Sequence, residues 1–509
     1  MNPITRFSLY FLVIGFFGIY FFLLPFFYIE KTLLLYSFFF IFIFFINLNI
    51  EKIVYKRIIY FIYTLFLLHT ILLNINHYYS FFLFENDVVS MAEVLLETSK
   101  GHFFKSNYFG DMDNGNYLSH HFSPALSLLS PLFIIFPHRL IYTFSLIIFN
   151  FISLILIEKI ANYNLKDKKD YLIFCLIPLF NPYFYNLFTS YHFESLFLTF
   201  FLVFLYGYLS GNKLYESLGF LLSITLKEDI PIYYIIFSVI FLLKKDYKRF
   251  IYLIVICLVY LNIINQVQLG LDRSAYVNWL GGWSQFGTDK VGIILNFFLK
   301  FDTLILLAIR KIDNLINLLI SFSYLPVFSL TELIPCLSIF IIQSSSDRMW
   351  YNSFYNYYCY TILPFFIYST LIGLPYLTQK NDNDKIKNFI YILLTAFCLY
   401  ANKSDRQIPM KYQNVEEEKV RNVRAVIEKI PINSEVSTFF SLGMHLRTDI
   451  SSYPLKKDKT KKFILVDTTG FSPYTSIEEI NLDIEKNLKE KKILLYYSKN
   501  TVKLYKKTD

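Results

Sequence analysis

The 509 residues are 55% hydrophobic and 20% aromatic but only 17% charged, against roughly 25% charged in an ordinary soluble domain, so a purely water-soluble chain is excluded. The net charge of +9 does not point to nucleic acid, because the Lys and Arg residues stand in short loops beside apolar runs, where they set membrane orientation. Cys175, Cys257, Cys336, Cys359 and Cys398 stand singly in apolar stretches with no Cys-x-x-Cys pair, which argues against a zinc site or a disulfide framework.

Residues 7–29 and 32–49 each run for about a bilayer's worth of helix, where roughly 20 apolar residues at 1.5 Å rise cross the hydrocarbon. The first lacks a small-residue cleavage pattern and leads directly into the second, so it reads as a retained span and not as a signal peptide. The basic loop 51–57 belongs in the cytoplasm, and the span 58–76 then delivers the polar segment 77–123 to the outer face. The apolar stretch 124–136 is too short to cross and reads as re-entrant or interfacial. Keeping it outside lets 140–157 run inward and puts the lysines of 158–170 in the cytoplasm, with the basic loops 244–249 and 379–387. Residues 333–342 form a second short, non-spanning element. The expectation is an all-α polytopic membrane protein of about 11–13 transmembrane helices, N-terminus cytoplasmic. After a last span ending near Ala401 the composition changes. An amphipathic helix pattern over 415–430 and strand patterns over 434–440, 463–467, 493–497 and 502–505 predict a small soluble α/β domain on the outer face. The organisation is therefore 1–76, N-terminal transmembrane helices; 77–139, first outer loop with the re-entrant element; 140–401, transmembrane core; and 402–509, soluble domain.

The first outer loop carries Glu85, Asp87, Glu93, Glu97, His102, Asp111, Asp113, His120 and His121. A solvated loop is the ordinary explanation of such composition. Asp87, however, precedes the helical pattern 88–96, which places a carboxylate at a helix start beside the membrane. His121 opens His-Phe-Ser-Pro, directly before the re-entrant element. His192 and Glu194 lie in Ser-Tyr-His-Phe-Glu between two apolar runs, where an interfacial aromatic belt is the alternative. Lys227, Glu228 and Asp229 separate the short apolar runs 214–226 and 230–243. Ionisable groups at such depth are costly and by default functional. Arg273 and Arg348 have the bidentate chemistry that binds phosphate or carboxylate, and Tyr357 lies in the aromatic run 355–358. No Walker loop, GxGxxG, HExxH or GxSxG occurs, so no nucleotide cofactor is expected. An outer-face enzyme would need an activated substrate carried in the membrane.

In order, the acidic outer loop, His-Phe-Ser-Pro at 121–124, Tyr-His-Phe-Glu at 191–194, Lys-Glu-Asp at 227–229, Leu-Pro at 325–326 and the Tyr/Pro-containing stretch 355–364 resemble the membrane-protein family known as domain of unknown function 2079, over roughly residues 70–509. That family in turn resembles the GT-C superfamily of membrane glycosyltransferases. The resemblance implies a GT-C-like fold, a catalytic carboxylate in the first outer loop and a polyprenyl-phosphate-linked sugar as donor. Asp87 falls on the family's Asp-Leu-Gly position, although this chain reads Asp87-Val88-Val89 there. On this basis Asp87 is expected as general base in an inverting transfer, with His121 and Glu194 orienting the acceptor, and Lys227 and Arg273 holding the departing phosphate. His120, His192, Glu228, Asp229 and Tyr357 complete the expected substrate-binding set. A divalent cation is compatible with these carboxylates, but no ligand spacing demands one. The implied partners are membrane lipids and a cell-envelope glycan, lipid or protein acceptor, at a bacterial or archaeal cytoplasmic membrane. A transporter or lipid flippase, or a non-catalytic assembly protein, is the competing class; no internal repeat favours the first.

Overall fold

The computed structural model describes residues 51–83, 86–108, 115–271, 281–288, 290–348, 351–352, 354, 356–379, 384–401, 412–455, 461–469 and 476–508. The expected spans 7–29 and 32–49 lie outside the described residues. The described chain is mostly helical, with one small sheet near its C-terminus. Among the described residues, four stretches are long and apolar enough to cross a membrane: α1 (Lys52–Tyr79), α3 (Leu140–Asn164), residues Phe193–Ser210, and Tyr247–Gln268. Helix α2 (Asn86–Ser99) follows α1.

Two further apolar helix pairs are bent at a short break, each a broken span or a re-entrant loop. Helix α4 (Lys168–Phe180) meets α5 (Pro182–Thr189) at 55°, and Gly292–Leu299 meets Phe301–Ile309 at 81°. The first bend has a local cause. Asn181 caps α5 by accepting from the Tyr183 and Phe184 amides, and Pro182 follows at the first helical turn, where its missing N–H is harmless. Asn181 also donates to the Ser321 carbonyl and hydroxyl at 3.1 and 2.9 Å, which anchors the break.

Several other apolar helices among the described residues are shorter than a crossing. Residues Pro124–Leu129 form a 3-10 turn and Pro131–Ile135 a single helical turn, in keeping with the expected non-spanning element. Leu330–Ser344 is longer than the 333–342 read from sequence, but fifteen residues at 1.5 Å rise still reach only about 22 Å of a roughly 30 Å core. Helices α6 (Leu196–Ser210), α7 (Lys213–Ile224) and α8 (Ile230–Leu243) carry the next part of the chain. They are followed by α9 (Tyr247–Gly270), which exposes Ile251, Val255, Leu258, Val259 and Ile263, an apolar face suited to lipid tails.

The chain divides into two compact units, one of residues 1–70, 146–267 and 276–411, the other of residues 71–145, 268–275 and 412–509. In the first unit α6 and α7 form a tight helical hairpin. Gly211 takes the left-handed C-cap at φ 73° and Asn212 caps α7 through the Leu214 and Tyr215 amides. Gly207 and Gly219 let the two backbones meet. A Cβ on Gly207 would press on the Glu216 backbone nitrogen, and one on Gly219 on that of Phe204. Small residues serve in this way wherever membrane helices approach closely.

The second unit contains α2, the short ladder of β1 (Lys105–Ser106) with β2 (Gly115–Asn116), and the C-terminal α/β fold. The expected outer loop and the expected soluble domain thus share one unit. Its sheet comprises β3 (Glu435–Thr438), β4 (Ser451–Pro454), β5 (Phe463–Asp467), β6 (Ile493–Lys499) and β7 (Val502–Lys507) in the order β4-β3-β5-β7-β6. Strand β3 is parallel to β4 and β5, whereas β7 is antiparallel to β5 and β6. Val423, Val426 and Ile427 of the helix Glu417–Ile427 and Ile480 and Ile484 of the helix Ile477–Lys489 pack with Val436, Leu465 and Leu504 into its core. Strand β4 and the helix Ile477–Lys489 are elements that the sequence patterns did not single out.

Candidate functional site

Within the first unit, two interruptions of apolar helix bring ionisable groups together. Between α5 and α6 the chain turns sharply at Tyr191, which takes φ 57°, and then passes through a 3-10 turn at Phe193–Ser195. A side chain other than glycine rarely adopts that conformation, and such positions collect at functional sites. Between α7 and α8 the backbone closes with the Leu226 amide on the Ser223 carbonyl and the Ile230 amide on the Lys227 carbonyl, after which Pro231 opens α8. His192, Glu194, Lys227, Glu228 and Asp229 are all buried by these two turns, none more than 7% exposed.

The Lys227 ammonium donates to Glu194 Oε1 at 2.7 Å and stands 5.2 Å from the Tyr360 ring centroid. His192 Nδ1 lies 3.9 Å from the second oxygen of Glu194. Asp229 Oδ2 accepts from the Tyr360 hydroxyl at 2.5 Å and from the Tyr233 hydroxyl at 3.2 Å. Gln343 Nε2 donates in turn to the Tyr233 hydroxyl at 3.4 Å. Asp229 Oδ1 has no hydrogen-bond partner among the described residues, and neither does the Ser195 hydroxyl. Buried polar atoms are seldom left so, and each such exception asks for a reason. One ammonium thus faces a Glu that neutralises it, while a second carboxylate, held by two phenols, keeps an open acceptor. The arrangement can receive the hydroxyl proton of a ligand or exchange a proton.

Of the residues expected from sequence, His192, Glu194, Lys227, Glu228 and Asp229 belong to this unit. Tyr357 falls in the turn Asn356–Thr361, its side chain outside what is described, and Arg273 lies outside the described residues. Tyr233, Tyr360 and Gln343 were not singled out. Tyr233 follows Asp229 by four residues, one helical turn, which is a readable signal. Tyr360 lies 131 residues away and carries no local one.

Asp87, His120 and His121 belong to the second unit. Asp87 is half-buried in the first turn of α2. His120 ends the short helix Tyr117–His120, and its ring centroid is 4.4 Å from that of His121. The central polar contact of this unit is one that the sequence only half showed. Arg139 and Glu93, both fully buried, pair at 2.7 Å. Arg139 also donates to the carbonyls of Leu446, Arg447 and Ile450, while Glu93 Oε1 accepts from Asn107 Nδ2 and the Ser452 amide. Lower on α2, burial pushes the Glu97 carboxyl up, but hydrogen bonds from Lys100 and His102 outweigh it and hold the group below its ordinary range. Burial drives the His445 imidazole down to about 3; its ring stacks on Tyr78 at 4.0 Å and its Nε2 meets the Tyr78 carbonyl.

Among the described residues no group of three or more His, Cys, Asp or Glu side chains is arranged to hold a metal ion. No curated protein matches the chain. A family match does, over residues 91–467, beginning just past Asp87 and covering both helix interruptions and the sheet as far as Asp467. That span is shorter at both ends than the 70–509 expected from the motifs. It takes in well over half of the sequence, and the chain therefore belongs to the family described as predicted membrane protein (DUF2079).

Proposed function

We propose that this membrane protein transfers a sugar from a polyprenyl-phosphate donor to an acceptor at the outer face of the cytoplasmic membrane, with inversion at the anomeric carbon. The observation that carries the reading is the buried cluster of the first unit, in which Asp229 keeps an open oxygen beside Tyr233, Tyr360 and the Lys227–Glu194 pair. Carboxylate, phenol and ammonium groups buried together match the donors and acceptors of sugar hydroxyls. Lys227 is already neutralised by Glu194, so the cluster suits sugar hydroxyls better than bare phosphate unless that pair opens. Asp87, in the second unit, keeps the role of general base that the family resemblance implies, with His121 beside the re-entrant element as an orienting group. The acceptor oxygen attacks the anomeric carbon, its proton passes to the Asp87 carboxylate, and the polyprenyl phosphate departs with the electron pair of the glycosidic bond. Because phosphate is a good leaving group, positioning supplies much of the rate gain.

Transfer of radiolabelled sugar from polyprenyl-phosphate donors, measured in membranes carrying the protein, tests this. D87N is expected to lose at least about a hundredfold, the usual contribution of a general base. D229N is expected to raise KM more than it lowers kcat. Full activity in D87N removes Asp87 as base, and no transfer by the unaltered protein from any donor overturns the reading. Two observations favour transport as the second reading: ionisable groups buried between apolar helices, and two helix pairs bent by 55° and 81°. Counterflow uptake in proteoliposomes, abolished by D229N, would establish it.

A further inference from the structure

We infer that the C-terminal hairpin β6–β7 is a docking surface for a lipid bilayer rich in anionic headgroups. Strand β6 lies at the edge of its sheet, and Leu494, Leu495 and Tyr496, three apolar residues in succession, are 57%, 53% and 49% exposed. In a strand whose two faces alternate, three consecutive exposed positions need a break in the ladder. The register shift between Leu495 and Tyr497 supplies it, leaving Tyr496 as the extra residue.

An exposed apolar edge in water is a template for aggregation, which soluble proteins avoid by shortening, covering or charging the edge. Here the flanking charge is predominantly positive. Residues 486–507 contain eight lysines, Lys486, Lys489, Lys491, Lys492, Lys499, Lys503, Lys506 and Lys507, against the single acid Glu490. Glu490 is itself engaged by Lys492 at 2.6 Å. Lys506 stands directly across the ladder from Leu494, and Lys499 closes the other end of the exposed run. The pattern is that of a membrane-surface element. Aliphatic side chains and a tyrosine enter the headgroup boundary while lysines on either side meet anionic lipid. The chain is itself a membrane protein, so a bilayer is present wherever it resides. Lysine side chains alone would equally solubilise an edge strand, but they do not explain why Leu494 and Leu495 remain exposed among the described residues while Tyr496 packs only edge-on against Phe463.

The test uses the full-length protein in nanodiscs, either of phosphatidylcholine alone or with a third of phosphatidylglycerol, carrying an environment-sensitive fluorophore on Y496C. Spin-labelled lipid is expected to quench the label at least twofold more in the anionic discs. Half-molar salt, or the quadruple variant K489Q/K491Q/K492Q/K499Q, should remove the difference. The variant's melting temperature, compared with that of the parent, confirms that the domain remains folded. Equal quenching in both discs overturns the proposal. So does an absence of quenching together with a fluorescence shift that grows with protein concentration, which would assign the strand to another polypeptide chain.

Discussion

Lys227 and Glu194 form an ion pair in which both side chains are almost wholly withdrawn from solvent. Their mutual attraction offsets a desolvation cost that neither could meet alone, so removing one partner leaves a buried charge uncompensated. K227Q is expected to destabilise the protein by about 3–5 kcal/mol in thermal unfolding, whereas the double variant E194Q/K227Q should recover a large part of the loss. His445 supplies a pH dependence of defined sign. In the unfolded chain its imidazole takes up a proton near the ordinary 6.5, while in the folded chain it stays neutral down to about 3. The unfolded state therefore binds the extra proton between those values, and stability is full above 6.5 and falls as the pH is lowered through that window. H445F should flatten the slope of melting temperature against pH between 6 and 4. At this scale the sequence was most informative about the acidic and basic residues that interrupt apolar runs. Lys227 and Asp229 are conspicuous there, because charges are rare in such surroundings. It was least informative about their partners, since nothing near Tyr360 in the chain reveals that its hydroxyl will meet Asp229.

The hairpin of α6 and α7 shows how an element's role depends on side chains that are missing. Gly207 and Gly219 read in sequence as two ordinary glycines in apolar helices, costing helix propensity. Their reason lies in the facing backbone, which only the packed pair displays. G207A is expected to cost about 1–3 kcal/mol by overpacking, seen as a lower melting temperature, although alanine is the better helix former. The break between α4 and α5 was more legible, because Asn-Pro is a turn signal and a helix start at once. The lengths of α7 and α8 follow the short apolar runs that flank Lys227-Glu228-Asp229. In the C-terminal sheet, β3, β5, β6 and β7 were each signalled by a strand pattern in the sequence. Strand β4, Ser-Ser-Tyr-Pro, was not, because its β character comes from pairing with β3 and not from its composition.

For the whole molecule, the second unit joins segments far apart in the chain through Arg139. Its guanidinium satisfies Glu93 on α2 and three carbonyls between residues 446 and 450, an arrangement suited to its planar fork of donors. R139L should leave Glu93 buried without its counter-ion and those carbonyls short of a donor, a loss of at least about 3 kcal/mol. Limited proteolysis would report it as faster cleavage within residues 412–509, and R139K should rescue only in part, because an ammonium cannot reproduce the fork.

By itself the sequence determined that this is a helical membrane protein with a small α/β region at its C-terminal end. Burial of apolar helix in lipid is governed by composition and run length, and both are local properties of the chain. It also placed the acidic and basic residues at the interruptions of those helices. Only the tertiary structure decided which of them meet. Glu194 faces Lys227 and Asp229 faces Tyr360 because separate helices are packed side by side, and Glu93 faces Arg139 because α2 folds with the C-terminal sheet. Such pairings depend on close approach in space, and hydropathy and spacing along one dimension carry no record of it.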